Sequence, residues 1–457
     1  MRSDNTPETS DERQGIMLER QRLQNILGLG LPIIGGMLSQ SLLNLVDAAM
    51  VGHLGEKSLA GVGIGSYANF VAISLVMGLG AGVQALVARR RGEGRLGELA
   101  GPLNCGLLVA LGVSLPITLI CMLFAGPIVQ SLSSDPEVLA VATPYFEWRA
   151  LSVLAVGLNF SFRGYWNGTR RSGMYMRTLV VMHLANAAIS YSLIHGLFSL
   201  PRMGAVGSGF GTTLALYLGT LTYASITWRD ARQHGFLSRR PCEREVRSML
   251  RLSLPNSLQQ FFFAAGITLL FWIIGQVGTR ELAVAHVLIN LALFLILPGI
   301  GLGMAATTLV SQSMGEGDFD SAHRWGWDVV KVAACGLALL GTPFWLFPET
   351  VLRLFISDPG LIELGRLPLM ITGIGMVIDA TALVLTQALL GAGATRTVMA
   401  VSLGNQWLFF LPLAYLVGPV LGGGLLAIWS MQIIQRGVAS LIFAVMWQKR
   451  QWTQIEL

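Results

Sequence analysis

Stretches of roughly twenty mostly apolar residues recur along this chain, separated by short segments that hold most of its charge. Each stretch is long enough to cross about 30 Å of hydrocarbon at about 1.5 Å of rise per helical residue. The pattern predicts twelve spans, at 25–50, 60–87, 104–126, 142–165, 178–198, 206–228, 252–275, 283–310, 328–348, 367–390, 398–418 and 424–447. Backbone polar groups in lipid must be paired within their own segment, so the spans are expected as helices and not as strands.

The polar punctuation repeats. The offset that carries Leu31-Pro32 onto Leu254-Pro255 also carries Gly52, Gly55, Leu59 and Ala60 onto Gly275, Gly278, Leu282 and Ala283, with no gap. It carries Gly78-Leu79-Gly80 onto Gly301-Leu302-Gly303, Gly92-Glu93-Gly94 onto Gly315-Glu316-Gly317, and Ser134-Asp135-Pro136 onto Ser357-Asp358-Pro359. The longest internal polar segment, about 229–250, falls between the two copies with six spans on either side. An even number of spans before the linker starts both halves on the same side. The expected fold is therefore an all-α integral membrane protein of twelve transmembrane helices, in two six-helix bundles related by a pseudo-two-fold axis along the membrane normal. Its expected divisions are a cytoplasmic N-terminal segment (1–22), an N-lobe (23–228), a cytoplasmic linker (229–250), a C-lobe (251–448) and a cytoplasmic tail (449–457).

Composition agrees with burial in lipid: 53% of residues are hydrophobic, 12% are charged, and the mean hydropathy is +0.61. The polar, mixed-charge start of the chain does not have the form of a cleavable signal peptide. Most of the 31 Lys and Arg fall on the side that holds both termini, for example Arg89, Arg90, Arg91 and Arg95 after the second span and the cluster from Arg229 to Arg251. That asymmetry places both termini in the cytoplasm of a bacterial-type inner membrane. The net charge of +6 thus reflects topology beside anionic lipid and not nucleic-acid binding. Four scattered cysteines, three of them within apolar spans, suggest small core residues and not a disulfide set or metal site. The pattern Gly78-x-Gly80-x-Gly82 has no strand before it, so it reads as close helix packing and not as a nucleotide loop.

The few ionisable or strongly polar residues at membrane depth carry the chemistry, because they are costly there without work to do. Asp47, near the far end of the first span, shares a helical face with Gln40 and Asn44, and Pro32 earlier in the same span is expected to let it bend. A carboxylate on such a helix can switch packing when it gains a proton or Na⁺. His183, Asn186 and Ser190 form a second polar stripe on the fifth span, with Thr212 and Thr213 near them on the sixth. Asp379 sits near the middle of the tenth span, flanked by Thr372 and Thr386 on its face. Asn256, Gln259 and Gln260 on the seventh span offer partners to it, beyond the matching Pro255. His286 and Asn290 make a further polar pair on the eighth. Asp47 and Asp379 both break the repeat, aligning with Leu270 and Val156, so the halves share a scaffold and differ in chemistry. Abundant Phe, Met and Trp would suit a cavity for bulky apolar cations. No HExxH, GxSxG or Cys/His cluster suggests an enzyme.

At this level of detail the chain resembles the MATE (multidrug and toxic compound extrusion) family over nearly its whole length. The likeness rests on LPIIGGMLSQSLLNLVDAAMVGHLG in the first span, AVAHVLIN at 283–290, the twin GEG loops, GAGATRT at 391–397 and FSLPRMGAVGSGFGTT at 198–213. The resemblance implies a two-lobe, V-shaped exporter that exchanges organic cations for H⁺ or Na⁺ by alternating access, with no cofactor, as a monomer in the bilayer. It implies that Asp47 is the N-lobe coupling acid, that Asn186 and Thr212 are its DinF-type partners, and that Asp379 is the NorM-type C-lobe acid. Either acid could then hold Na⁺. Two departures matter: Ser190 stands where the DinF pattern has a second acid, and Phe263 stands where the NorM pattern has a glutamate. The closest alternative is a flippase of lipid-linked saccharides, whose cavity would need many basic groups. Here the embedded bases are chiefly Arg149, Arg163 and Arg436.

Overall fold

The computed structural model describes residues 10–197, 199–238 and 241–455, with side chains from residue 19 onward. Residues 1–9 of the expected N-terminal segment, Phe198 at the start of the 198–213 motif, Arg239 and Arg240 of the linker, and residues 456 and 457 of the tail lie outside that set.

The N-terminal bundle comprises α1 (Ser10–Gly52), α2 (Glu56–Gly92), α3 (Gly101–Leu123), a fourth span made of α4 (Pro136–Ala150) and α5 (Ser152–Gly168), then α6 (Ser172–His195) and α7 (Gly204–Ala231). The C-terminal bundle comprises α8 (Glu243–Val277), α9 (Thr279–Gly315), α10 (Phe319–Leu346), α11 (Pro359–Ala392), an eleventh span beginning with α12 (Thr395–Leu403), and a last one completed after it. Two wide π turns, Gly404–Phe410 and Leu416–Val420, continue the eleventh span around α13 (Leu411–Tyr415), and α14 (Gly424–Gln448) is the twelfth. No strand occurs among the described residues. Ten of these helices are long and apolar enough to cross a membrane on composition alone. The other two spans are the fourth, interrupted at Leu151 and carrying Glu147, Arg149 and Arg163, and the glycine- and threonine-rich sixth.

The repeated motifs are helix punctuation. Asp135 and Asp358 each cap the helix that follows, accepting from the amides of Glu137 at 2.9 Å and Gly360 at 2.7 Å, with proline next in both. Each GEG loop ends a long helix: Gly94 and Gly317 have φ of 73° and 77°, the left-handed conformation in which only glycine avoids a Cβ penalty. Even the short helices Ala125–Gln130 and Pro348–Arg353 occupy equivalent places. Matching hydroxyls tie the fifth and eleventh spans to the first and seventh, from Ser172 to the Leu29 carbonyl and from Thr395 to the Arg251 carbonyl, both at 3.1 Å.

Structure and sequence reading differ at the linker. α7 runs to Ala231 and α8 starts at Glu243, so helix consumes both ends of the polar 229–250 segment. Charged residues disfavour lipid and not helix: the Glu245 carboxylate accepts from the Cys242 amide at 3.0 Å and caps α8 in water. For the same reason α1 reaches back to Ser10, well before residue 23. The cysteines divide as well: Cys105 and Cys121 are buried, whereas Cys242 and Cys335 are exposed.

Two apolar cores lie mainly one in each bundle, with Ile26 and Leu29 of α1 joining the C-terminal core and Met249 and Met304 joining the N-terminal one. The lobes meet mainly in the half of the membrane nearer the termini. There a Cβ on Gly301 would strike Ile34 of α1, and one on Gly78 would lie 2.6 Å from the Ser257 amide of α8. The sequence Gly78-Leu79-Gly80 is therefore a packing seam, as its place in the repeat suggested. Gln84 spans the seam, donating to the Met304 carbonyl at 2.7 Å and to Thr308 at 2.9 Å. Thr308 donates on to the Asn167 carbonyl at 3.1 Å, and Arg22 pairs with Asp328 at 2.6 Å while lying over Trp325. Further out, the Tyr67 and Thr268 hydroxyls join α2 to α8. Beyond Ile34 and Gly301, by contrast, α1 and α9 expose Leu42, Leu45, Leu293 and Phe294. The molecule is held together near its termini, and α1 and α9 present apolar faces on the opposite side.

Candidate functional sites in the two lobes

α1 packs against α6, and this places the two N-lobe polar stripes face to face. The Asn186 amide donates to both oxygens of Asp47, at 3.0 and 3.1 Å. The amide is held in turn by Ser190, which donates to its oxygen at 3.2 Å and is itself fully buried. Thr212 donates to the Ser208 carbonyl at 2.8 Å and borders the same carboxylate. Asp47 thus turns inward onto three groups that the sequence had singled out, and not to open solvent.

One turn nearer the termini lies a second network. His183 contacts the Ser39 hydroxyl through Nδ1 at 3.0 Å and Gln40 through Nε2 at 3.2 Å, and Gln40 donates to Asn44 at 3.2 Å. The histidine is satisfied by α1 itself, so it fastens α6 to α1 below the carboxylate. Thr213 belongs to neither network, donating to the Trp148 carbonyl at 2.9 Å.

Sequence reading missed Arg149 as a member of this site. It projects from α4 close enough to act electrostatically on Asp47, and its Nη2 donates to the Asn69 amide at 3.0 Å while Asn69 donates back to the Arg149 carbonyl. Its Nε and Nη1 are buried without a hydrogen-bond partner. The sequence marks Arg149 only as an embedded base; the packing of α4 against α2 and α7 brings it to this site.

The C-lobe is built differently. Asp379 is buried in α11 and forms an ion pair with Arg436 of α14, the two side chains being 10% and 14% exposed. The expected partners on the seventh span lie elsewhere: Gln259 donates to Ser402 at 3.1 Å, and neither Asn256 nor Gln260 bonds Asp379. Thr372 accepts from the Trp429 indole at 3.0 Å and donates to its own helix. Asn290 donates back to the His286 carbonyl at 2.8 Å, so that pair is a local feature of α9 and does not join Asp379. The hinge candidates Pro32 and Pro255 both lie inside unbroken helices, at the seam where the lobes meet.

What each site can hold follows from its donors. A hard cation such as Na⁺ needs several oxygen ligands. Asp47 instead receives N–H groups from Asn186 and faces a guanidinium, and Asp379 is already neutralised by one. Neither arrangement is a cation cage, whereas the Asp47 carboxylate, with no direct ion pair among the described residues, can take a proton.

Comparison with known proteins places this geometry in context. The MatE family model matches residues 32–192 and again 255–416, each match opening on one of the two prolines. Relatives described as probable NorM multidrug resistance proteins include one from Thermotoga maritima, 25% identical over 93% of both chains. Another, from Bradyrhizobium diazoefficiens, is 29% identical over 88% of both. Among solved structures, an outward-facing multidrug resistance MATE transporter aligns with a TM-score of 0.88 at 21% identity, covering 95% of this chain and 97% of its own. A MOP superfamily transporter from Pyrococcus furiosus aligns at 0.85, also with 21% identity, covering 94% of this chain and 96% of its own. A duplicated six-helix unit, matched twice by one family model and superposable along its length on solved transporters, identifies the chain as a multi-pass membrane transporter that belongs to the MatE family.

Proposed function

We propose that this protein is a multidrug efflux antiporter of a bacterial inner membrane, exporting organic cations in exchange for protons, with both termini in the cytoplasm. The names of its relatives support the substrate class. The observation that supports the coupling is the contrast between the two acids: Asp47 takes its hydrogen bonds from the neutral Asn186, with the Arg149 guanidinium acting on it only through space, whereas Asp379 is locked to Arg436.

Protonation of Asp47 cancels the charge that Asn186 stabilises with both of its amide contacts. Neutral aspartic acid must then donate a hydrogen, and the arrangement around Asn186, Ser190 and Thr212 repacks. Because α1 carries Asp47 beyond Pro32 and presents an apolar face on the side opposite the termini, that repacking reaches the seam at Ile34 and Gly301. Exposed apolar residues of α1 and α9, with Phe263 and Phe294, would face a bulky cation. A pH difference of one unit supplies about 1.4 kcal/mol per proton, about a tenfold gradient when one proton is exchanged for one monovalent cation, and a 100 mV potential adds about 2.3 kcal/mol for each further proton. The lipid-linked saccharide alternative is disfavoured because Arg149, Arg163 and Arg436 do not converge: they face Asn69, Phe160 and Asp379 respectively. The lobe limits 23–228 and 251–448 belong to the same proposal, with the helical extensions lying outside lipid.

The test is transport in proteoliposomes with a pH or a Na⁺ gradient imposed separately. A pH gradient should drive ethidium extrusion, a Na⁺ gradient should not, and Asp47→Asn should abolish the first without loss of protein. Extrusion driven by Na⁺ alone, or undiminished in Asp47→Asn, would overturn the assignment.

A further inference from the structure

A cavity of about 640 Å³ lies outside both sites, between α8 and α12 at the end of the C-lobe nearer the termini. Its walls are apolar, formed by Leu250, Leu254, Leu258 and Met399, and its mouth carries Arg247, Arg251 and Arg396. Leu254 is 55% exposed, so the groove is open to the bilayer side. Arg251 and Arg396 have no carboxylate within ion-pair distance among the described residues, and Arg247 has only the solvent-exposed Glu243 at 3.5 Å.

Helix stability does not explain the cluster. Arg396 sits in the first turn of α12, where the helix dipole disfavours cations, and Arg251, two turns into α8, has no acid three or four residues away, whereas Arg247 has its pair with Glu243. The repeat supplies an internal comparison. In the N-lobe the positions of Leu250, Leu254, Pro255 and Met399 are held by Leu27, Leu31, Pro32 and Met176, that of Leu258 by Gly35, and the three arginine positions by Gln24, Gly28 and Gly173. The repeat therefore shares most of the apolar wall and none of its charge.

We propose that this groove binds an anionic phospholipid of the leaflet on the side of the termini. The phosphate lies among the three guanidinium groups, and an acyl chain lies along the leucines and Met399 against Pro255. Apolar walls below a cationic mouth, at the depth of the headgroups, match an amphiphile and not a free anion. Each arginine near the surface contributes about fivefold in affinity for an anionic lipid, so the three together supply on the order of a hundredfold at low salt.

The experiment titrates detergent-purified full-length protein with fluorescent phosphatidylglycerol or phosphatidylcholine. Phosphatidylglycerol should bind at least about tenfold more tightly, and Arg247→Gln/Arg251→Gln/Arg396→Gln should remove that preference. Excess inorganic phosphate should leave the lipid bound. If that triple variant does not fold, the converse one decides: Cβ atoms at Gly28 and Gly173 meet nothing within 4 Å, so Gln24→Arg/Gly28→Arg/Gly173→Arg should add a second equivalent of phosphatidylglycerol. Equal affinity for the two lipids, an unchanged preference in the first variant, no second equivalent in the converse one, or displacement by phosphate would each overturn the proposal.

Discussion

Replacing Asp379 with Asn leaves Arg436 charged, buried and alone, and an arginine cannot escape by losing a proton. The converse change, Arg436→Gln, strands an aspartate that can neutralise itself by taking one. Removing one member of a buried pair costs about 3–5 kcal/mol, and at 10% and 14% exposure these two side chains belong to that class. Asp379→Asn should therefore lower the midpoint of thermal aggregation in detergent by on the order of 5–10 °C, and Arg436→Gln by less. The double variant removes both charges and leaves two amides that can bond each other, so most of the lost stability should return. Transport decides between an electrostatic clasp and an ion site. As a clasp, the pair recovers proton-driven export in the double variant along with stability. A double variant that is as stable as the parent yet transports nothing would show that the Asp379 carboxylate itself takes part in coupling, and would refute the single-acid argument.

Asn186→Leu removes both Asn186 hydrogen bonds to Asp47 and leaves Thr212 as its near neighbour. Export should fall at least about tenfold with expression unchanged, for a net loss of about 1.5–3 kcal/mol from bonds to a charged group, read as initial extrusion rate. Gly78→Val places methyl groups where the Ser253 carbonyl and Ser257 amide now lie, so it should push α2 from α8. Labelling of a cysteine introduced at Gln84 by a water-soluble maleimide from the side of the termini should rise; unchanged protection would show that this seam does not hold the lobes shut.

The sequence announces the features that depend on local pattern: spans, caps, the glycine-ended helices, and the facing stripes that join Asp47 to Asn186, Ser190 and Thr212. Those stripes were legible because three- and four-residue spacing fixes a helical face before any packing is known. The Asp379 partner was not, because Arg436 lies two spans further along the chain and only the bundle brings α11 to α14. Arg149 escaped for the same reason, and helix runs into both ends of the polar linker because polarity marks the edge of lipid and not the end of a helix.

The wide turns in the eleventh span have a consequence for how alike the lobes can be. A π turn widens a helix without breaking it, and the fifth span, α6, is a plain α-helix throughout. Across that difference one tie keeps the offset of the repeat: Gln406 donates to the Phe263 carbonyl on α8, where the N-lobe pairs His183 with Gln40. Duplication gave this transporter two copies of one bundle, and the same rung is a backbone anchor in one lobe and a side-chain pair one turn below the Asp47 carboxylate in the other.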